Sequence, residues 1–399
     1  MQKISYIDNN MQLGIAYDWN LIIKTYLSLQ CPKSVYSPVK ILRNMSQNNI
    51  AWYIGMSKRN TGKTTNFLLI GMIMNWLYGT QIYYIRQRDE MIAPKHSKSM
   101  FDTILEFDYV SKITEGRYNS VLYRSKAWYM CTRDDNGNVV DESLTPFCNL
   151  QSITSANDVK SVINNPYADF IIYDEFINAT YYNNEFVDFF NLISTLKRFR
   201  RSAKIILLAN TIDMYHVYFQ EFCIADNVQK MKAGETAVIT TEIGTKIIVE
   251  RIEQAATARA INDLDKIMYY GFPNPKLASI TGDNWSIANY QHIPEGEYNT
   301  IFNKIYIFYN GKYAKLEIVS HETLELCIYV HWATRIYNDS IILTAEQRTD
   351  KRYKYKLGCG NVENTVRKMF LENKVYYASN EIGAFVTSYM SYIRRLQTW

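Results

Sequence analysis

The chain has no Cys-x-x-Cys pair. Its six cysteines stand apart at Cys31, Cys131, Cys148, Cys223, Cys327 and Cys359, and its five histidines are equally scattered. That spacing leaves a structural zinc without a ligand set, and reduced thiols are the simplest account. Long apolar runs are also missing. The most apolar stretch, FLLIGMIMNWL at 67–77, falls well short of the ~20 residues a membrane-spanning helix needs. The N-terminal MQKISYIDNNMQ lacks the apolar segment of a secretion signal. A soluble intracellular protein without a membrane partner is expected. Charge of one sign is scarce too: 44 Lys+Arg against 39 Asp+Glu leave a net +5, too little for a histone-like protein that binds nucleic acid by bulk charge. No internal repeat and no low-complexity tract interrupts the chain.

What is present suits a globular protein. At 399 residues, and roughly 150 residues per domain, two or three domains are expected. Apolar residues make up 47% and charged residues 21%, enough to bury cores and too apolar for wholesale disorder. Tyrosine is abundant at 33 residues, which fits strands and nucleic-acid surfaces alike and decides neither.

From about residue 49 to 223 short apolar runs alternate with helical ones. AWYIGMS (51–57), QIYYIR (81–86), NLQSIT (149–154), DFIIYDE (169–175) and KIILLAN (204–210) read as strands. TTNFLLIGMIMNWLYG (64–79) and NEFVDFFNLISTLKRF (184–199) read as helices. Unbroken apolar strands are what a parallel sheet covered on both faces requires, and the strand–helix–strand order predicts an α/β domain over 1–225. Residues 226–285 read as a linker or lid, with a hairpin-like segment followed by a helix ended by Gly271. From 286 to 399 the pattern becomes that of a smaller α+β domain, with two strands turned at Asn310-Gly311 and two C-terminal helices.

Between the first strand and its helix lies Ser57-Lys58-Arg59-Asn60-Thr61-Gly62-Lys63-Thr64-Thr65. This follows the phosphate-loop pattern G-x-x-x-x-G-K-[ST] except that Ser57 stands in the first glycine position. Backbone amides curl around phosphates in such a loop, the lysine reaches the terminal phosphate oxygens, and the hydroxyl of Thr64 suits Mg²⁺. Either Ser57 makes the tight turn without a glycine, or Gly55 takes that role in a longer loop. A surface turn that happens to contain Gly-Lys-Thr is the bland alternative; the preceding strand and following apolar helix favour ATP and Mg²⁺.

DFIIYDE carries the complementary half. A buried strand ends in Asp174 and Glu175, an arrangement in which Asp174 holds Mg²⁺ and Glu175 orients or deprotonates water. A strand with a polar cap is the plainer reading. Roughly 110 residues between Lys63 and Asp174 leave room for another strand between the two motif strands. Asn210 ends KIILLAN and reads equally as a γ-phosphate sensor or a strand cap. Arg86 ends QIYYIR and reads as a nucleotide contact, a brace for the loop, or a solvated end. The run Lys197-Arg198-Phe199-Arg200-Arg201 reads as a helix C-terminus answering its dipole, or as an arginine finger acting on a neighbouring subunit, Arg198 before Arg200. Near the C-terminus, RTDKRYKYK (348–356) offers Lys351, Arg352, Lys354 and Lys356 among tyrosines, with Arg394 and Arg395 further on. That patch reads as a sequence-independent phosphate track or as a solvated loop.

SKRNTGKT, YYIRQR, residues 155–165 leading into FIIYDEFI, and FFNLISTLKRFRRSAKIILLAN occur in an order that resembles the DNA-packaging ATPases of small short-tailed phages with protein-primed linear genomes, compact relatives of the large terminase subunit. The resemblance covers about 50–225 and extends more loosely over the later strand pair. It implies a P-loop ASCE-type ATPase domain, a lid, and an RNase H-like C-terminal domain. It further implies a homomeric ring, a pentamer in the family, on the portal of an empty procapsid in the host cytoplasm. Double-stranded DNA is then the cargo and packaging RNA a further partner. Lys63 and Thr64 fall on the Walker A residues, Asp174 and Glu175 on Walker B, Arg198 on the trans-acting finger, and Arg86 on an arginine ending the second strand. Ser57 and the Asn60 position depart from the family's glycines. Terminase nucleases need several convergent acids; strands 304–319 and 324–333 offer Glu317 and Glu325 without a clear aspartate, so a nuclease-inactive domain is expected. Another nucleic-acid ATPase of the same division, such as a helicase, and a non-catalytic nucleic-acid or portal scaffold are the alternatives.

Overall fold

The computed structural model describes residues 5–7, 13–32, 35–57, 61–97, 99–155, 168–177, 181–182, 184–197, 203–210, 216–253, 290–309, 311–344, 346 and 348–396. The chain divides into two compact units, Met1–Thr211 with Glu221–Gly271, and Ile212–Gln220 with Phe272–Trp399.

The first unit opens with a small antiparallel pair, β1 (Ser5–Ile7) and β2 (Leu13–Ile15). Two helices follow, α1 (Trp19–Ser28) and α2 (Val39–Gln47). Asp18 caps α1 by accepting the N–H groups of Asn20 and Leu21, which satisfies two of the donors every helix start leaves open. Ile22, Ile23 and Tyr26 of α1 and Ile41, Leu42 and Met45 of α2 are buried in the core that α3 (Lys63–Tyr78) also enters. Helix α3 is apolar around much of its circumference, and it ends at Gly79 in the left-handed conformation.

Ten strands make the main sheet. They are β3 (Trp52–Ser57), β4 (Ile82–Arg86), β5 (Ser120–Arg124), β6 (Ala127–Arg133), β7 (Val139–Glu142), β8 (Cys148–Ser152), β9 (Phe170–Asp174), β10 (Lys204–Asn210), β11 (Thr236–Thr240) and β12 (Lys246–Arg251). Their spatial order is β11-β12-β3-β10-β9-β4-β8-β6-β5, with β7 beside β6. From β12 to β8 every neighbouring pair is parallel. The fold is therefore mixed α/β around a mainly parallel sheet. All five residues of β9 are buried, as an unbroken apolar strand covered on both faces should be.

Two expectations need adjustment. The additional strand expected between the loop strand β3 and the acid strand β9 is present, but it is β10, which comes after both motifs in the chain. The long intervening segment instead builds β4 and the antiparallel β5–β8 extension on the far side. Secondly, the hairpin placed in a linker at 226–285 belongs to the sheet through β11 and β12, with β12 running parallel to β3. Residues 254–285, the remainder of that expected lid, lie outside the described residues.

In the second unit, β13 (Tyr298–Tyr309), β14 (Lys312–His321) and β15 (Glu325–Trp332) form an antiparallel meander. Tyr309 pairs with Lys312 across the place where a turn is expected, with Gly311 at φ 73°; Asn310 lies outside the described residues. Parallel strands extend both edges: β16 (Ile341–Leu343) then β17 (Tyr353–Lys354) beside β13, and β18 (Val375–Tyr377) beside β15. One sheet face, including Ile307, Leu316 and Val330, shares a core with Val366 and Met369 of the helix Asn361–Leu371 and with Ile382 and Phe385 of Asn380–Leu396. This is the second sheet domain. No helix among the described residues is long and apolar enough to cross a membrane.

Candidate active site

Parallel pairing brings the ends of four strands to one edge. Ser57 is paired with Asn210, Leu208 with Asp174, and Ile85 with Tyr173, so the ends of β3, β10, β9 and β4 lie side by side. Ligands of open α/β sheets bind in the crevice outside such carboxyl ends.

At the end of β3 the Ser57 hydroxyl lies 2.8 Å from that of Thr61. A side-chain hydrogen bond thus closes the base of the loop where a glycine is missing; Lys58, Arg59 and Asn60 lie outside the described residues. Gly62 follows in the left-handed region at φ 76° and caps α3, a conformation glycine adopts without a Cβ penalty. Gly55 does not supply the missing turn. It lies within β3, paired with Leu208 and Glu250, and a Cβ there would sit 2.6 Å from the Tyr53 hydroxyl. Its bare Cα lets the Tyr53 ring fold back over the strand.

Lys63, Thr64 and Thr65 form the first turn of α3. Lys63 Nζ donates to Asn210 Oδ1 at 2.7 Å, and the Thr64 hydroxyl donates to Asp174 Oδ1 and Oδ2 at 3.1 and 3.2 Å. Asp174 Oδ2 also accepts the Tyr84 hydroxyl at 2.7 Å. Asn210 Nδ2 in turn donates to Glu175 Oε1 at 3.4 Å, so this side chain bridges the lysine and the second acid rather than capping its strand. Glu175 holds φ 53°, a left-handed backbone uncommon outside glycine and the kind of strain that gathers at functional sites.

Arg86 is engaged with the acid pair. Its Nη2 donates to Glu175 Oε2 at 2.5 Å, its Nη1 to the Tyr84 hydroxyl at 3.2 Å, and Nη1 lies 3.6 Å from Asp174 Oδ2. Burial works against its charge, but Tyr84, Asp174 and Glu175 outweigh that and hold its pKa above the ordinary value. Burial, reinforced by Asp174, likewise pushes the Tyr84 phenol well up, so it remains a donor. Arg86 Nε is buried with no partner among the described residues, leaving a polar donor beside the acid pair. Tyr84 is the member that sequence reasoning missed; its signal is the strand period of two, which places it on the same face as Arg86.

These residues fit a magnesium nucleotide. Thr64 and Asp174 are the hydroxyl and carboxylate that oxygen-seeking Mg²⁺ takes, the ammonium of Lys63 stands beside them, and the helix start supplies backbone donors. Arg198 and Arg200 lie outside the described residues.

In the second unit the basic run is partly neutralised from within. Arg352 makes hydrogen bonds through Nε and Nη2 to Asp350 at 3.0 and 2.7 Å, and Arg348 pairs with Glu346. Lys351, Lys354 and Lys356 remain exposed. The acid Glu317 is buried between Lys315 and His331, the latter 3.5 Å away, and Glu325 opens β15 with φ 56°. Side chains of Arg394 and Arg395 lie outside the described residues.

Neither a protein-family model nor a curated protein matches the sequence. Solved structures do. The Phi-28 gp11 DNA packaging motor aligns with TM-score 0.51 and 16% identity over 92% of this chain and 99% of its own. A chain of the bacteriophage Phi-29 viral genome packaging motor assembly aligns with TM-score 0.52 and 16% identity over 91% of this chain and 100% of its own. The fold is that of phage DNA-packaging motors. At this identity the likeness establishes the fold, and it spans both units rather than the nucleotide-site unit alone.

Proposed function

We propose that the chain is an ATP-hydrolysing motor that drives double-stranded viral DNA into a preformed procapsid through its portal. The observation that carries this reading is the convergence of Lys63, Thr64, Asp174 and Glu175 at one sheet edge, with β10 between the loop strand and the acid strand. Support comes from the two packaging-motor folds, which follow the chain over nearly its whole length.

In this mechanism Lys63 would exchange Asn210 for the terminal phosphate, and Thr64 and Asp174 would hold the metal ion. Mg²⁺, when bound, would supply charge neutralisation on the phosphate oxygens. Glu175 begins in the grip of Arg86 and Asn210; once released, its carboxylate orients the attacking water and accepts its proton. Asn210, touching both Lys63 and Glu175, reports on the site from the tip of β10. Arg198 of a neighbouring subunit, or Arg200, neutralises charge on the transferring phosphoryl group. The assembly is a homomeric ring, a pentamer, docked on the portal, with packaging RNA as a further partner in the host cytoplasm. Lys351, Lys354 and Lys356 are the candidates for sequence-independent phosphate contact, Arg352 being engaged by Asp350. The second unit binds without cutting.

The test is phosphate release by the purified protein with duplex DNA, single-stranded DNA, or portal-bearing procapsids with packaging RNA. Stimulation by duplex DNA and procapsids without unwinding supports the motor. Stimulation by single strands with unwinding would make the chain a helicase, and absence of turnover under every condition would make it a scaffold. Mixing Arg198→Ala with Glu175→Gln subunits should restore turnover beyond either alone, if the finger acts in trans.

A further inference from the structure

Tyr36 touches the phosphate loop with its backbone and a buried carboxylate with its side chain. Its N–H donates to the Thr61 carbonyl at 2.8 Å, immediately before Gly62 and Lys63. Its phenol donates to Glu250 Oε2 at 2.8 Å. The Tyr53 hydroxyl reaches the same oxygen at 2.7 Å and lies 2.9 Å from that of Tyr36. Glu250 belongs to β12, directly opposite Gly55 of β3, the glycine whose missing side chain makes room for the Tyr53 ring. One carboxylate on the neighbouring strand therefore gathers two phenols, one from the loop strand and one from the segment that braces the loop.

The arrangement is stiff. The Tyr36 and Tyr53 rings lie 6.0 and 5.3 Å from Phe67 of α3, so they are wedged beneath the helix that the loop starts. Val35 completes the brace, since its Cβ would stand 3.0 Å from a Cβ at position 62. Burial raises both phenols well above their ordinary pKa, so they stay protonated donors. Phosphate is taken by backbone N–H groups at the start of the helix, so binding acts directly on the backbone around Thr61. Here the Thr61 carbonyl cannot move without drawing on the Tyr36 N–H, and through the phenol on Glu250.

We propose that Tyr36 is a positioning residue of the phosphate loop and that, through Glu250, it transmits loop closure to β12, the last described strand of the first unit. The inference rests on the phosphate-binding reading of the loop and adds to it a mechanical output. It also accounts for β12 lying beside β3 in parallel register, where a strand can feel the loop directly.

The test uses the full chain with Mg²⁺ and a non-hydrolysable ATP analogue. Amide hydrogen exchange of residues 246–251 is followed with and without the analogue, alongside binding affinity and the unfolding midpoint. In the wild type, analogue binding should slow exchange in β12. Tyr36→Phe keeps the ring and removes one hydrogen bond, so it should weaken binding by about two- to tenfold and abolish the β12 response without changing exchange in the analogue-free chain. Glu250→Gln, which keeps an oxygen acceptor, should retain most of the response; Glu250→Ala should lose it. A Tyr36→Phe chain with the wild-type β12 response overturns the proposal. So does one whose β12 is already unprotected without the analogue, because the role is then structural. A wild-type chain that fails to bind the analogue overturns the phosphate reading itself, and this proposal with it; one that binds without a β12 response overturns only the transmission.

Discussion

Arg86 Nη2 lies 2.5 Å from Glu175 Oε2. The arginine ends β4 and the glutamate follows β9, neighbouring strands whose parallel register sets the two tips side by side. A carboxylate so held has one oxygen committed to a guanidinium, and water cannot use that oxygen as a base while the pair stands. On the proposed function, the resting site is therefore assembled but latched.

Breaking the latch should raise idle turnover. In Arg86→Met, phosphate release without DNA is expected to rise about two- to fivefold, and stimulation by duplex DNA to shrink accordingly. The modest size follows from solvent screening of an exposed partner: the Glu175 side chain is 45% exposed. Steady-state phosphate assays with and without duplex DNA decide this; idle turnover below wild type would show that Arg86 assists the reaction.

Binding and turnover should separate at Lys63 and Glu175. Lys63→Ala removes the charge facing the terminal phosphate and should abolish nucleotide binding. Glu175→Gln should bind as the wild type does while turnover falls by about 100- to 10,000-fold, the range for removing a general base. Equilibrium binding paired with single-turnover kinetics measures both, and equal turnover in Glu175→Gln and wild type would remove Glu175 from the chemistry.

Gly62→Ala should damage the loop from the backbone outward. The residue has φ 76°, and a Cβ would lie 3.0 Å from that of Val35. A left-handed non-glycine costs about 1–2 kcal/mol, so thermal unfolding should shift down, with a larger loss in nucleotide affinity because α3 begins at the next residue. An unchanged affinity would mean the loop does not use this conformation to bind.

In the second unit, the Glu317–His331 pair predicts a pH window. Pairing with Glu317 raises the His331 pKa above 6.5, so its contribution is full below 6.5 and is lost as pH rises through the elevated value. Pairing with His331, outweighing burial and helped by Lys315, lowers Glu317 from 4.5 to about 2, so its contribution is present above 4.5 and lost as pH falls toward 2. The stabilisation from the pair is thus greatest between about pH 4.5 and 6.5. Thermal unfolding of wild type against Glu317→Gln across pH 4–9 should show the difference narrowing at alkaline pH; a constant difference would mean the histidine charge contributes nothing.

Much of the site is legible in the chain. Ser57, Asp174, Arg86 and Asn210 each end a strand, and Lys63 and Thr64 begin a helix, that apolar runs mark out, because parallel strands buried on both faces read as unbroken apolar segments. The partners of these residues are less legible. Nothing local indicates that Arg86 would reach Glu175, or that Asn210 would span Lys63 and Glu175, because both contacts depend on which strands are neighbours. The segment 236–251 shows why: its alternation reads correctly as a hairpin, yet alternation carries no information about which sheet edge the hairpin joins.

Residue order alone was enough to mark the Gly-Lys-Thr turn between strand and helix, the acid pair, the α/β class and the later meander, since each rests on spacing over a few consecutive positions. Tertiary structure alone decided that β10 separates the two motif strands, that β12 lies against β3, that Gly55 serves the Tyr53 ring rather than the loop turn, and that Tyr36 and Glu250 meet. Apart from Gly55 and Tyr53, which share one strand, these contacts join residues tens to hundreds of positions apart, and which strands become neighbours is selected by packing of the whole sheet, not by any local propensity.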